Sequence, residues 1–249
     1  FDISGEISVY QAAHSRDDRA RNAGVALCPG AGFDIVPTDT LAALLARELP
    51  QASHLELAFN FGSLPSQGTA RTAIINIGDG GLIRRDGELT PVGLGYRVSK
   101  VAFPNGAKTA VSLPWGDVFS AYHSTGIPNT LVYCAMPAAL CWGQKLTNPI
   151  RGFLARPFMQ KMLLGLMEKF LDAGPDENTR DTAGTEFWGR AKAADGREFS
   201  ATLTGPSVYV MTAELSVAAA LHAETTSADG GYYTASKLLG ADFLSDRAG

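Results

Sequence analysis

Apolar and polar positions follow two rhythms along this chain, and the change comes near residue 50. Before it, an apolar run at 1–4, a helical segment over about 7–22 and a second apolar run at 25–28 read as strand, helix and strand. That spacing predicts a right-handed parallel crossover. The polar half of the helix, HSRDDRARN, is a solvated face, and Gly24 supplies a left-handed helix end. Pro29, Gly30 and Gly32 then make a turn, after which Leu41, Leu44 and Leu45 recur at helical spacing until Pro50 stops the helix. Beyond it, HLELAFNF at 54–61 alternates as a strand does, 62–68 reads as a loop, and 69–77 as a short helix capped by Ser66. Turns at 78–81 and Asp86-Gly87 introduce short strands near 88–92, 96–103 and 109–113, with Asn105-Gly106 turning between the last two. A helical turn at 117–124 and a strand at 130–136 come next. Residues 138–171 are helical, with breaks at Asn148-Pro149 and Pro157. A polar linker at 174–184, a hairpin of 186–193 and 198–204 over Asp195-Gly196, a helix at 209–222 and a short helix near Ser236 complete the pattern. It predicts an α+β fold, a mixed, largely antiparallel sheet with covering helices, preceded by a βαβ unit.

Composition narrows the functional classes. The 249 residues are 45% hydrophobic and 18% charged, enough for a sizeable core. A net charge of −4 gives no general draw toward nucleic acid or an anionic membrane, so no nucleic-acid partner is expected. Cys28, Cys134 and Cys141 are odd in number and lack CxxC spacing, as reduced core thiols in a cytoplasmic protein are. There is no apolar run of the length needed to span a bilayer. The chain begins at Phe1 in what reads as a strand end, and a lone strand needs a sheet to join. The expectation is that a longer protein continues on the N-terminal side.

Three stretches could carry chemistry. In GVALCPGAGFDIVPTD, the glycine turn between strand and helix would expose backbone N–H groups where open α/β sheets place ligands, with Asp34 inside it. Read alone, such glycines do no more than make a tight connection. In SQGTART, Ser66, Thr69 and Arg71 form a candidate anion site, matched evenly by an ordinary helix cap with a surface arginine. In LPWGDVFSAYHSTGIPN, Trp115 could wall a pocket, and His123 and Asn129 stand among polar groups in a turn between strands; a satisfied structural histidine is the default there. No HxH, HExxH or Cys/His cluster marks a metal site. The helix RPFMQKMLLGLMEKFL puts Phe158, Met162, Leu166 and Phe170 on one face, which suits a core or dimer contact; a peripheral lipid contact is the less favoured reading, because Glu168 and Asp172 offset its few basic residues.

These motifs, with DISGE at the start, GPSVYVMTA and the closing GGYYTASKLLGADF, resemble the saccharopine dehydrogenase-like oxidoreductases over nearly the whole chain, closest to the trans-acting enoyl reductase branch. The resemblance implies that 1–50 is the C-terminal end of a Rossmann dinucleotide-binding domain whose earlier strands and GxxGxxG loop do not occur here. It implies that 51–249 is an α+β domain for substrate binding and dimerisation. It also implies an NAD(P)H cofactor for the full-length protein, held only weakly by this chain. Gly30, Gly32, Phe33 and Asp34 would then lie toward the nicotinamide, and Ser66, Thr69, Arg71, Trp115, His123 and Asn129 would be candidates for a small-molecule substrate. No catalytic acid or base follows from it. A homo-oligomer is expected, because cut sheet edges and the apolar 138–171 stretch both seek partners. The alternative is a non-catalytic binding or assembly module for a partner protein or lipid, diverged from the same family.

Overall fold

A computed structural model describes residues 1–62, 67–170, 183–226 and 228–244. At the centre of its large sheet lies β2 (Ala52–Asn60), and period-two alternation decides what that strand joins. Leu55, Leu57 and Phe59 point to one face, into the main core with Phe33, Leu41, Leu45 and Phe187. Ala58 points to the other, where it packs with Val101, Phe103, Ala110 and Tyr133.

Among the described residues the sheet has eight strands. β2 pairs in parallel with β7 (Asn129–Ala135) and antiparallel with β8 (Thr185–Ala193), which forms a hairpin with β9 (Glu198–Gly205). β3 (Gly81–Arg85) meets the start of β7 and pairs with β4 (Glu88–Val92), while β6 (Gly106–Ser112) meets its end and pairs with β5 (Val98–Phe103). All the pairings except β2 with β7 are antiparallel. The sheet is mixed and the fold is α+β, as the pattern predicts. Asp86 and Gly87 both have positive φ, 49° and 84°, the geometry that turns a two-residue hairpin with the twist of its strands.

The helices α3 (Val36–Glu48) and α5 (Asp117–Thr125) pack on the main-core face. Gly189 on β8 admits α3 closely: a Cβ there would stand 2.6 Å from Leu45 Cδ1. On the outside lie α4 (Gln67–Ile75), α6 (Ala138–Leu146), α7 (Arg151–Leu154) and α8 (Pro157–Phe170), with the expected breaks at Asn148-Pro149 and Pro157.

The opening of the chain differs from expectation. Residues 1–4 form no strand, and the helix expected over 7–22 is two, α1 (Ile7–His14) and α2 (Asp17–Ala23). Ser15 Oγ and Arg16 Nη1 both donate to Ala12 O, which ends α1. β1 (Ala26–Leu27) instead takes its parallel partner from the far end of the chain, β10 (Gly231–Tyr232), with Gly231 N donating to Val25 O and Tyr233 N to Leu27 O. Residues 1–4 are spent otherwise, on the glycine turn. The strand β3 was not expected from the pattern, which marks only the turns flanking it. Ser66 and most of the 174–184 linker lie outside the described residues, as does the Phe170 side chain.

Candidate functional site

The turn after β1 is locked from three sides. Gly30 has φ 69°, and a Cβ on it would overlap the Tyr10 hydroxyl and stand 2.7 Å from Ile35 Cγ1, so both conformation and space demand glycine. Gly30→Ala is expected to cost about 2–4 kcal/mol of unfolding free energy, read by denaturant titration; a loss under about 1 kcal/mol would show the turn can relax. Asp2 collects the donors of the turn: its carboxylate accepts from Gly30 N at 3.1 Å and Ser4 N at 2.8 Å, and its carbonyl from Ala31 N at 2.7 Å. Phe33 N donates to Thr212 Oγ1 on the Val208–Thr226 helix, at 3.4 Å. The amides expected to face a ligand are thus partly consumed within the chain.

The carboxyl of Asp34 stands at the rim of this turn. Gly5 abuts it, a Cβ on Gly5 lying 3.3 Å from Asp34 Oδ2 and 3.1 Å from Trp115 Cζ2. Trp115 Nε1 donates to Asp34 O at 2.7 Å, which holds the indole against the turn. The indole continues an aromatic wall through Phe59 and Phe61, with ring centroids 5.0 and 6.5 Å away. Burial in this setting, and then the Glu6 carboxylate, pushes the Asp34 carboxyl up to about 7. Glu6 is itself positioned by Ser4 Oγ, which donates to Oε2 at 2.7 Å. A carboxyl that exchanges its proton near neutrality, beside an apolar wall, can serve as a general acid or base.

Among the other candidates that lie within the described residues, the structure brings Trp115 to Asp34. Phe33 is 1% exposed and packs among Phe59, Phe61 and Phe187. Asn129 ties strands together, donating to Ser53 O and accepting from Asp86 N, both at 3.0 Å. Arg71 is exposed on α4 and meets Glu168 at 3.8 Å; Thr69 is exposed on the same helix. His123 is not in a turn between strands but in the last turn of α5, where helix geometry stacks it on Phe119 at 4.4 Å and His14 at 4.4 Å. Burial first, then His14, Arg84 and Lys237, pull its imidazole down to about 4. It is neutral at pH 7.

Sequence reasoning gave no role to Asp39 and did not foresee the burial of Asp117. Glu6 was legible only as part of DISGE. Asp39 and Asp117 sit in first helical turns, where an acid ordinarily faces water and complements the dipole. Here both are fully buried. Asp39 accepts from Ser124 Oγ at 2.6 Å and Ser236 N at 2.7 Å, pinning the Ala235–Leu239 helix to α3 and α5. Neither oxygen of Asp117 has a partner in full hydrogen-bond geometry; burial, then Asp39, raise its carboxyl well above the ordinary range, against the opposing pull of the nearby Thr38. Burial pushes the Cys28 thiol up to about 12, which makes it a packing group. No group of three or more metal-ligating side chains occurs among the described residues.

No family model matches this chain, and no curated protein matches it in sequence. Among solved structures, its fold is similar to that of apo saccharopine dehydrogenase (L-Glu forming) from Saccharomyces cerevisiae. The match covers 94% of this chain and 74% of that chain with a TM-score of 0.56, and 10% of the aligned residues are identical. At that identity the likeness is one of fold.

Proposed function

We propose that this chain supplies the substrate-facing part of a nicotinamide-linked oxidoreductase, in which Asp34 exchanges a proton with the substrate beside Trp115. One observation carries the reading. The Asp34 carboxyl is raised to about 7 at the turn after β1, in a chain whose fold is similar to a dehydrogenase. Trp115 lies beside the carboxyl, whose proton affinity is raised first by burial and then by Glu6. The finer assignment, the trans-acting enoyl reductase branch, rests on the sequence motifs and would make the substrate an enoyl thioester.

The residues present do not fit the phosphates of a dinucleotide. A pyrophosphate needs free amides at a glycine turn, and here Gly30 and Ala31 donate to Asp2. This chain is accordingly expected to give no resolvable heat with NADPH in calorimetry, and tight binding would show that Asp2 can be displaced.

The proton role is tested first by NMR titration of the Asp34 carboxyl. A midpoint near 7 that falls in Glu6→Gln is expected, and a midpoint in the ordinary carboxylate range would remove Asp34 as the acid or base. The reaction is tested by following NADPH oxidation with an enoyl thioester, and separately with a 2-oxo acid plus an amine, using protein that includes any sequence preceding Phe1. Asp34→Asn is expected to lower kcat by about 10²–10⁴-fold. Full activity in Asp34→Asn would overturn the assignment. Turnover of neither substrate would favour the second reading, a binding or assembly module, to which the occupation of the turn by Asp2 also points.

A further inference from the structure

The outer helices leave unusually bulky apolar side chains in water. On α8, Phe158, Met162 and Leu166 recur at intervals of four, so they share one face, and they are 57%, 49% and 46% exposed. The opposite side of α8 already has its contacts: Met159 is buried, and Gln160 Nε2 donates to Ile75 O of α4 at 2.9 Å. Phe153 of α7 meets Phe158 edge-on at 5.7 Å, which extends the apolar face, and on α6 Trp142 and Leu146 are 53% and 78% exposed. Scattered exposed apolar residues are ordinary; a helical stripe continued by a neighbouring ring is a contact surface.

Charge decides what it contacts. Residues 138–172 carry Lys145, Arg151, Arg156, Lys161 and Lys169 against Glu168 and Asp172, a net +3 in a chain whose total is −4. Glu168 is moreover turned toward Arg71 of α4. Lys145, Arg156 and Lys161 are exposed, and two of them lie along exposed rings: Lys145 Nζ is 5.8 Å from the Trp142 centroid and Arg156 Cζ 5.5 Å from that of Phe153. Apolar and aromatic side chains with cations riding along them match the boundary between acyl chains and anionic headgroups. A second copy of this surface would bring like charge against like. No helix among the described residues is long and apolar enough to cross a membrane, so the contact lies in the surface plane.

We propose that the α6–α8 arm docks on an anionic lipid surface, with Phe158, Met162 and Leu166 entering the acyl boundary and Lys145, Arg156 and Lys161 at the headgroups. This goes beyond the proton role of Asp34 and does not rest on it.

Vesicle sedimentation tests it, with phosphatidylcholine alone and with phosphatidylserine added. Binding is expected to need phosphatidylserine and to weaken in high salt. Phe158→Ser with Met162→Ser, and Lys145→Glu with Lys161→Glu, are each expected to weaken it by at least about tenfold, with the unfolding midpoint unchanged because all four side chains are exposed. The proposal is overturned by folded protein that ignores phosphatidylserine vesicles, or by binding that neither double variant reduces. It is also overturned if light scattering shows a dimer that Phe158→Ser with Met162→Ser dissolves, which would assign the face to a second copy.

Discussion

Phe33→Ala is expected to lower the free energy of unfolding by about 3–5 kcal/mol, and Phe33→Leu by no more than about 1.5 kcal/mol. Phe33 belongs to the glycine turn, yet its ring leaves the turn and enters the core. It packs against Phe59 of β2 at 6.1 Å and 86°, Phe187 of β8 at 5.4 Å, and Phe61 at 5.5 Å. Truncation would remove three ring contacts at once and open a cavity under the site. Since whole domains are stable by only about 5–15 kcal/mol, the alanine variant should show a much lower midpoint in denaturant with an unchanged slope. A neutral Phe33→Ala would mean that the ring is dispensable to the core and would reopen a ligand role for it.

The second large effect is a destabilisation by Asp34 that grows as pH rises. In the unfolded chain an aspartate gives up its proton near 3.9. Folded Asp34 keeps its proton until about 7, so between these values the folded state binds more protons than the unfolded one. The slope of unfolding free energy with pH is then negative, about 1.4 kcal/mol per pH unit, and the loss is complete only above the folded value. Over the shift of Asp34 this amounts to about 4 kcal/mol. Asp117, held well above its ordinary range by burial and Asp39, acts in the same direction. Asp34→Asn is therefore expected to match the parent protein near about pH 4 and to exceed it in stability near about pH 8. Asp117→Asn should relieve a further part, unless its amide finds no partner either. Neutral His123, held down to about 4 in the fold, acts in the opposite direction, so the comparison is between the two proteins. Denaturant titrations of both at the two pH values read it directly, and a stability difference between Asp34→Asn and the parent that does not change with pH would refute the burial argument.

How much was legible follows from the range of the forces involved. The turn at Asp86-Gly87, the hairpins at Asn105-Gly106 and Asp195-Gly196 and the helix breaks at Asn148-Pro149 and Pro157 depend on backbone preferences of one or two residues, and these appear as the sequence predicts. The β2 alternation placed Leu55, Leu57 and Phe59 on the core face for the same local reason. In the candidate site, the turn and Trp115 were legible as a glycine motif and an aromatic after a strand. Their meeting was not, because Trp115 reaches Asp34 across 81 residues of chain.

By itself, then, the sequence determined the α+β class, the mixed character of the sheet and most element positions, since periodicity and turn chemistry act between near neighbours. The tertiary structure decided which segment completes each ladder and which polar group loses its water. β1 could pair with any exposed edge, and it pairs with β10 from the other end of the chain, leaving residues 1–4 to bind the turn through Asp2. The surroundings of His123, Asp39 and Asp117 exist only once α1, α3, α5 and the C-terminal helix close around them. Desolvation is a property of that closure, and with the Glu6 carboxylate it converts Asp34 into a carboxyl that exchanges its proton near neutral pH.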